Sequence, residues 1–299
     1  MKQKKYTKHF IFLSVLLIIL FYLNISLGSV SIPIKDIFNS IFGGNVAKDS
    51  WQTIIINFRV PKAITATLVG SGLSVCGLLM QTLFRNPLAG PFVLGISSGA
   101  SLGVAILILG SSVFGGFLLT HSPSQWSLPI AASLGAFLVL SAVIIAANKV
   151  RNTMSILIIG LMFGSLTSAV ISVLAYFSDA EQIKQYLFCS IERLSNLTWY
   201  EIAVFSIIYA IGIIGTVYVI KPLNSLLLGE NYAKSLGINV KQSRNIILLI
   251  TSLLTGVITA FSGPIAFIGL AVPHIARMLF SSSNHKLLLP AVAIIGAMV

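Results

Sequence analysis

The sequence predicts an all-α polytopic membrane protein, on three observations. Hydrophobic residues make up 56% of the 299 residues and charged residues only 9%, where a soluble domain carries about a quarter charged. Mean hydropathy is +0.98. The charges are also clustered, leaving long uncharged stretches such as the 63 residues from Asn86 to Asn148. A charge at the centre of a spanning helix costs about 2.5–3.5 kcal/mol, and a span needs roughly 20 apolar residues. Each long uncharged gap therefore marks one crossing or two.

A basic start (Lys2, Lys4, Lys5, Lys8) leads into the first span, Phe10 to Leu27. Its run is longer than a secretory h-region and Ser26-Leu27-Gly28-Ser29 is a poor cleavage site, so an uncleaved helix is expected. The second span lies between Lys62 and Arg85. The long uncharged gap holds the third and fourth, Phe92 to Leu109 and Leu128 to Ala147, separated by Thr120-His121-Ser122-Pro123-Ser124. Asn152 to Ser178 is the fifth and Ile202 to Ile220 the sixth. Asn245 to Ala276 is too long for one helix and breaks at Gly263-Pro264, giving the seventh and eighth. Leu287 opens a ninth that is still apolar at Val299.

Alternating sides from a cytoplasmic N-terminus places 13 of the 19 basic residues inside, with Glu230 as the one acid among them. The outer segments then hold six basic and six acidic residues. This is the asymmetry expected of a multispan protein. It also accounts for the pI near 9.9 without nucleic acid, whose binding needs a dense solvated basic face.

Several chemistries have no residues to carry them. The four histidines (His9, His121, His274, His285) are scattered, and Cys76 and Cys189 form no C-x-x-C or disulfide framework. No G-x-x-x-x-G-K-[ST] loop is present to hold ATP. No acid interrupts a span to serve an ion-coupled relay.

Small residues recur four apart at Gly95, Gly99 and Gly103, at Gly160, Gly164 and Ser168, and at Gly70 and Ser74. In lipid that spacing lets helix backbones approach closely. Two connections carry more. In Gln81 to Pro91 the prolines at 87 and 91 forbid a continuous helix and Asn86 turns the chain, which predicts a rigid loop at the membrane edge. The longest inner loop, Lys221 to Arg244, contains Leu226 to Gly237, which reads as a short amphipathic helix stopped by Gly237 at its C′ position. Leu228, Tyr232 and Leu236 then share one face, which suits either the membrane surface or a partner's groove.

Two blocks carry a family resemblance. The first comprises Arg59-Val60-Pro61-Lys62, Gly70 to Gly72, Gly77, Gln81, Arg85-Asn86-Pro87-Leu88-Ala89, Pro91 and Leu94-Gly95-Ile96-Ser97-Ser98-Gly99-Ala100. The second comprises Leu228-Gly229-Glu230, Ala233, Ser235-Leu236-Gly237, then Gly263 to Leu270 and Pro273-His274-Ile275-Ala276-Arg277. Together they closely resemble the FecCD family of ABC-transporter permeases, which carry iron–siderophore complexes, haem or vitamin B12.

The resemblance implies the ten-helix permease fold of type II ABC importers, with about nine helices in this chain. Residues 1–299 would form one transmembrane domain lacking the end of helix 9 and helix 10, with 221–244 as the cytoplasmic coupling loop. It implies a second permease subunit, expected as a homodimer, two cytoplasmic ATPases that hold the ATP and Mg, and an extracytoplasmic solute-binding protein. No cofactor is expected on the chain itself. Leu228, Gly229, Glu230, Tyr232, Ala233, Leu236 and Gly237 resemble the coupling helix that fits a groove on the ATPase. Asn86, Pro87 and Leu88 match one cytoplasmic gate, and Thr153 and Met154 another, although Met154 is bulkier than the small polar residue expected there. Arg59 and Lys62 match an external basic pair that contacts the binding protein. The fifth span would line the central pathway. Leu187 to Leu194 departs from the family's aromatic and Gly-Ser-Leu pattern. The expected activity is ATP-driven import of a ferric siderophore through the bacterial cytoplasmic membrane. Haem or cobalamin import is the alternative substrate reading, and an ion-coupled carrier or a non-transporting truncated paralogue the alternative class.

Overall fold

In a computed structural model, which describes residues 2–110, 126–150, 153–190 and 197–299, the regular elements are all helical. Among the described residues six helices are long and apolar enough to cross a bilayer. They are α1 (Lys2–Ser26), α3 (Asp49–Leu83), α5 (Ser127–Lys149), α6 (Thr153–Tyr176), α8 (Trp199–Tyr218) and α11 (Val240–Ser262). Three apolar helices are shorter: α4 (Ile96–Ile108), α12 (Ile268–Phe280) and α13 (His285–Met298). These nine correspond to the nine spans read from the seven long gaps between charges. The remainder are short connectors: α2 (Ile34–Phe42), α7 (Ala180–Ser190), α9 (Ile220–Leu226) and α10 (Glu230–Ser235). The Thr120 to Ser124 separator, Arg151, Asn152 and Ile191 to Leu194 lie outside the described residues, as do the side chains of Thr153 and Cys189.

The axis of the bundle is α3, packed against α1, α8, α11, α12 and α13. Glycines let the neighbours approach its backbone. A Cβ at Gly70 would overlap the carbonyl oxygen of Gly296 on α13, and one at Gly77 would overlap that of Gly269 on α12. The four-residue spacing of Gly99 and Gly103 does the same between α4 and α5, where added Cβ atoms would meet the carbonyls of Gly135 and Ala131. Gly95 and Gly160 face one another between the start of α4 and α6: a Cβ at Gly95 would stand 2.8 Å from the Gly160 oxygen, while Gly164 lies near Ser98.

The second span begins much earlier than the charges suggest. Arg59 and Lys62 sit inside the 35-residue α3, about 52 Å long at the α-helical rise. The helix runs through Pro61 by way of a π-turn at Ile55–Arg59, where the Val60 amide bonds the Ile55 carbonyl five residues back. In that register the partner of the Ile56 carbonyl would be Pro61, which has no N–H. The Trp199 indole of α8 donates to it instead, at 3.2 Å.

The third and eighth spans are also not simple helices. A 3-10 turn at Pro91–Leu94 and a left-handed Gly95 precede α4. Thirteen-residue α12 is only about 20 Å long, too short for a hydrocarbon core of roughly 30 Å. Gly263 ends α11 with φ +79 and the chain stays non-helical to Phe267. Gly269 then packs on Leu73 and Gly77, so α12 starts against the C-terminal half of α3. Irregular backbone at membrane depth is tolerated where protein buries it or it lines a cavity; here Gly263 is buried and Pro264, Ala266 and Phe267 are exposed in this chain.

Contacts between connectors sort the ends of the bundle. Phe280 meets Tyr6, His9 and Phe10. Asn245 bonds Asn148, Arg244 bonds Glu230, and Asn224 bonds Asn284. The segments read as inner from their charges are thus gathered at one end.

Candidate gate and coupling site

At this basic end α3 closes in a Schellman motif with an arginine where glycine is usual. The Arg85 amide bonds the Thr82 carbonyl at 3.2 Å, the Asn86 amide bonds Gln81 at 3.1 Å, and Arg85 has φ +50. Asn86 then makes an Asx turn, its side-chain oxygen accepting the Leu88 amide at 2.9 Å. Pro87 and Leu88 project outward while Ala89 is buried, so the loop is rooted at both ends and offers its tip. Its continuation rests on α6: a Cβ at Gly160 would stand 2.5 Å from the Val93 oxygen. That same helix begins at Thr153, and Met154 in its first turn is exposed.

The coupling loop corrects one expectation. A single helix over Leu226 to Leu236 does not form: α9 ends at Leu226, and Gly229, at φ +113, starts the separate α10. No β-carbon residue takes that angle easily, so the turn is encoded at Gly229. The stop at Gly237 is as read. The Gly237 amide bonds Lys234 and the Ile238 amide bonds Ala233, completing a Schellman cap with Gly237 at φ +79. Ala233 is fully buried and Arg244 of α11 pairs with Glu230 at 3.3 Å. Anchored so, α10 turns Leu228, Tyr232 and Leu236 outward, 65%, 49% and 56% exposed.

Around these two elements lies a polar cluster that motif reading did not connect. Gln81 accepts from Arg277 Nη1 at 2.6 Å and donates to the Leu270 carbonyl at 3.2 Å, tying α3 to α12. Thr82 meets His285, and His285 meets Asn224. Each of these residues is ordinary in its own stretch of sequence. Only the fold puts them together.

At the opposite end Arg59 and Lys62 part company. Lys62 is exposed, in line with a docking cation. Arg59 is not: its guanidinium is buried and donates to the carbonyls of Ile25 and Ser26 at 2.9 Å each, and to that of Val30. It caps the end of α1, where carbonyls lack helical partners and the helix dipole favours a cation. Gly28 makes room, since a Cβ there would stand 2.8 Å from the guanidinium. The expectation of Arg59 as an exposed docking residue is therefore corrected. Arg59→Ala is expected to destabilise the chain by about 2 kcal/mol, because buried carbonyls lose their donor, and Lys62→Ala to leave melting unchanged. Thermal melting in detergent checks this, and the reverse pattern would restore Arg59 to the surface.

The comparisons with known proteins agree with this architecture. The FecCD transport family profile matches residues 16–299. The hemin transport system permease protein HmuU of Yersinia pestis is 36% identical over 289 residues, 96% of this chain and 83% of that protein. The vitamin B12 import system permease protein BtuC of Vibrio parahaemolyticus is 32% identical over 298 residues, 99% of this chain and 84% of that protein. A solved structure of an ABC transporter assigned to the metal-chelate type, in an inward-facing conformation, superimposes with a TM-score of 0.84 at 28% identity, covering 98% of this chain and 87% of that one. With the profile spanning nearly the whole chain and the helical architecture shared, this protein belongs to the FecCD transport family and is an ABC importer permease.

Proposed function

We propose that the chain is one of two identical membrane subunits of an importer that moves a ferric siderophore across the bacterial cytoplasmic membrane, N-terminus inside. Two ABC ATPases drive it and an extracytoplasmic binding protein delivers the substrate. The carrying observation is the outward stripe of Leu228, Tyr232 and Leu236, rigidly presented at the basic end of the bundle. Apolar side chains held out into water beside many lysines and arginines suit a protein groove. Force applied there would shift the bundle between two states, which substrate biases only by binding them unequally.

The character of α6 supports this substrate class. It carries no charged residue, and its exposed surface mixes Ser165, Ser168 and Ser172 with Leu161 and Met162. Such a wall suits a bulky complex whose metal charge is already neutralised by its chelator. Proteoliposomes containing the chain, its ATPase and its binding protein should accumulate a ferric siderophore only when ATP is supplied. Accumulation of haemin or cobalamin in its place would move the substrate assignment. Uptake driven by an ion gradient without ATP would defeat the proposal.

A further inference from the structure

We propose that Asn224, His285 and Thr82 form a buried hydrogen-bonded link that carries displacement of the coupling segment α9–α10 to the end of α3, and so to the Asn86–Leu88 loop. The inference rests on the reading that α10 docks an ATPase. It concerns how a push at that surface reaches the membrane.

Asn224 lies in α9, three residues before that helix gives way to the turn into α10. Its side-chain oxygen accepts the His285 backbone amide at 2.9 Å and lies 2.8 Å from His285 Nδ1. Its amide group donates to Asn284 at 3.3 Å, and Asn284 in turn caps α13 by accepting the Lys286 amide. Across the ring, His285 Nε2 lies 2.8 Å from Thr82 Oγ1. An amide oxygen can only accept, so the network assigns the ring proton to Nδ1 and leaves Nε2 as an acceptor, and the single Thr82 hydroxyl hydrogen is then shared between Nε2 and the Leu78 carbonyl, also 2.8 Å away. His285 is 1% exposed and Thr82 2%, so water is not at hand to replace the bond between them, while Asn224 is half-buried at the rim of the link. A satisfied buried network of this kind is directional and has few alternative arrangements.

Two further observations favour transmission over simple anchoring. Leu223 and Leu226, flanking Asn224, are buried in the core against the end of α3, so α9 cannot slide past the link without moving what it touches. Arg85, at the root of the gate loop, also reaches the coupling segment. Its Nη1 stands 3.7 Å from where a Cβ on Gly229 would be. A non-glycine residue in the left-handed region costs about 1–2 kcal/mol. Holding an arginine there places its guanidinium over the turn where α9 becomes α10. The loop and the coupling segment thus approach one another at the surface beside Arg85 and are joined below it through Thr82, His285 and Asn224. These residues position the gate; none need touch substrate.

The test uses the whole transporter in proteoliposomes and reads substrate imported per ATP hydrolysed. Thr82→Val removes the hydroxyl at nearly constant shape, and Thr82→Ser keeps it. The valine variant is expected to lower import per ATP about tenfold, in the usual range for coupling between sites, while the serine variant behaves as wild type. Asn224→Ala is expected to uncouple similarly, and the double variant Thr82→Val with Asn224→Ala to be no worse than either alone, because one link is broken once. Parallel loss of import and hydrolysis in the valine variant, equal failure of the serine variant, or additive losses in the double variant would each overturn the link. Absence of ATP-driven import in the wild-type assembly would instead overturn the functional reading on which the link depends.

Discussion

Gly77→Val is expected to prevent the chain from forming a monodisperse bundle. At Gly77 the backbones of α3 and α12 are so close that a bare Cβ would overlap the Gly269 carbonyl oxygen, carbon and Cα. These are backbone atoms near a buried helix start, so they cannot step aside as a flexible side chain does. Gly269 is itself enclosed by the Leu73 oxygen, Pro91 and Gly77. Overpacking by a methylene or two in an ordinary core costs about 1–3 kcal/mol, and valine here must push two helices apart. The loss should exceed that range and appear as aggregation on size exclusion. Gly237→Ala is the informative contrast: nothing lies within 4 Å of an added Cβ, but φ is +79. It should cost only about 1 kcal/mol of backbone strain. A Gly77→Val protein that elutes and melts like wild type would mean that α3 and α12 are not in contact as described.

Leu236→Asp is expected to abolish ATPase assembly while leaving the chain folded. Leu236 is more than half exposed, so the bundle loses little packing when it changes. An apolar anchor seated in a partner's groove is different, since truncating such an anchor typically costs 2 kcal/mol or more, and a buried carboxylate adds a desolvation penalty. Together these weaken docking by more than about 30-fold. Co-purification with the ATPase measures it directly. Ala233→Asp, three residues earlier and fully buried, should instead disrupt α10 itself and lower the melting temperature. Retention of the ATPase by a folded Leu236→Asp chain would remove α10 as the docking surface.

The helix inventory was legible because the bilayer enforces it. Charge is excluded from the hydrocarbon, so gaps between charges become spans, and all nine spans read from the seven long gaps hold a helix. The break at Gly263-Pro264 and the stop at Gly237 were legible for a local reason: each depends on the φ or the missing N–H of one residue. The π-turn before Pro61 was not, because a proline that opens a helix and one that a helix passes through look alike without the neighbouring indole of Trp199. Nor was the split of the coupling helix. Glycine within a helical pattern reads as tolerated until its φ is known to be +113.

Arg59 shows the boundary between the two kinds of information. The family resemblance implied a docking charge at Arg59. Its actual partners are carbonyls 29 to 34 residues away, and backbone acceptors have no letter in the sequence. The same holds for Gly70 with Gly296, Gly77 with Gly269, and Thr82 with His285 and Asn224. By itself, then, the sequence determined the class of protein, the order of the apolar helices among the described residues, the end that collects positive charge and the exposed stripe of Leu228, Tyr232 and Leu236. All of these follow from transfer free energies and local backbone preferences. Only the tertiary structure decided which glycines face which backbones, that Arg59 is a cap and Lys62 a surface cation, and that Asn224, His285 and Thr82 meet. Those depend on directional contacts between residues far apart in the chain, formed once lipid and packing have brought the helices together.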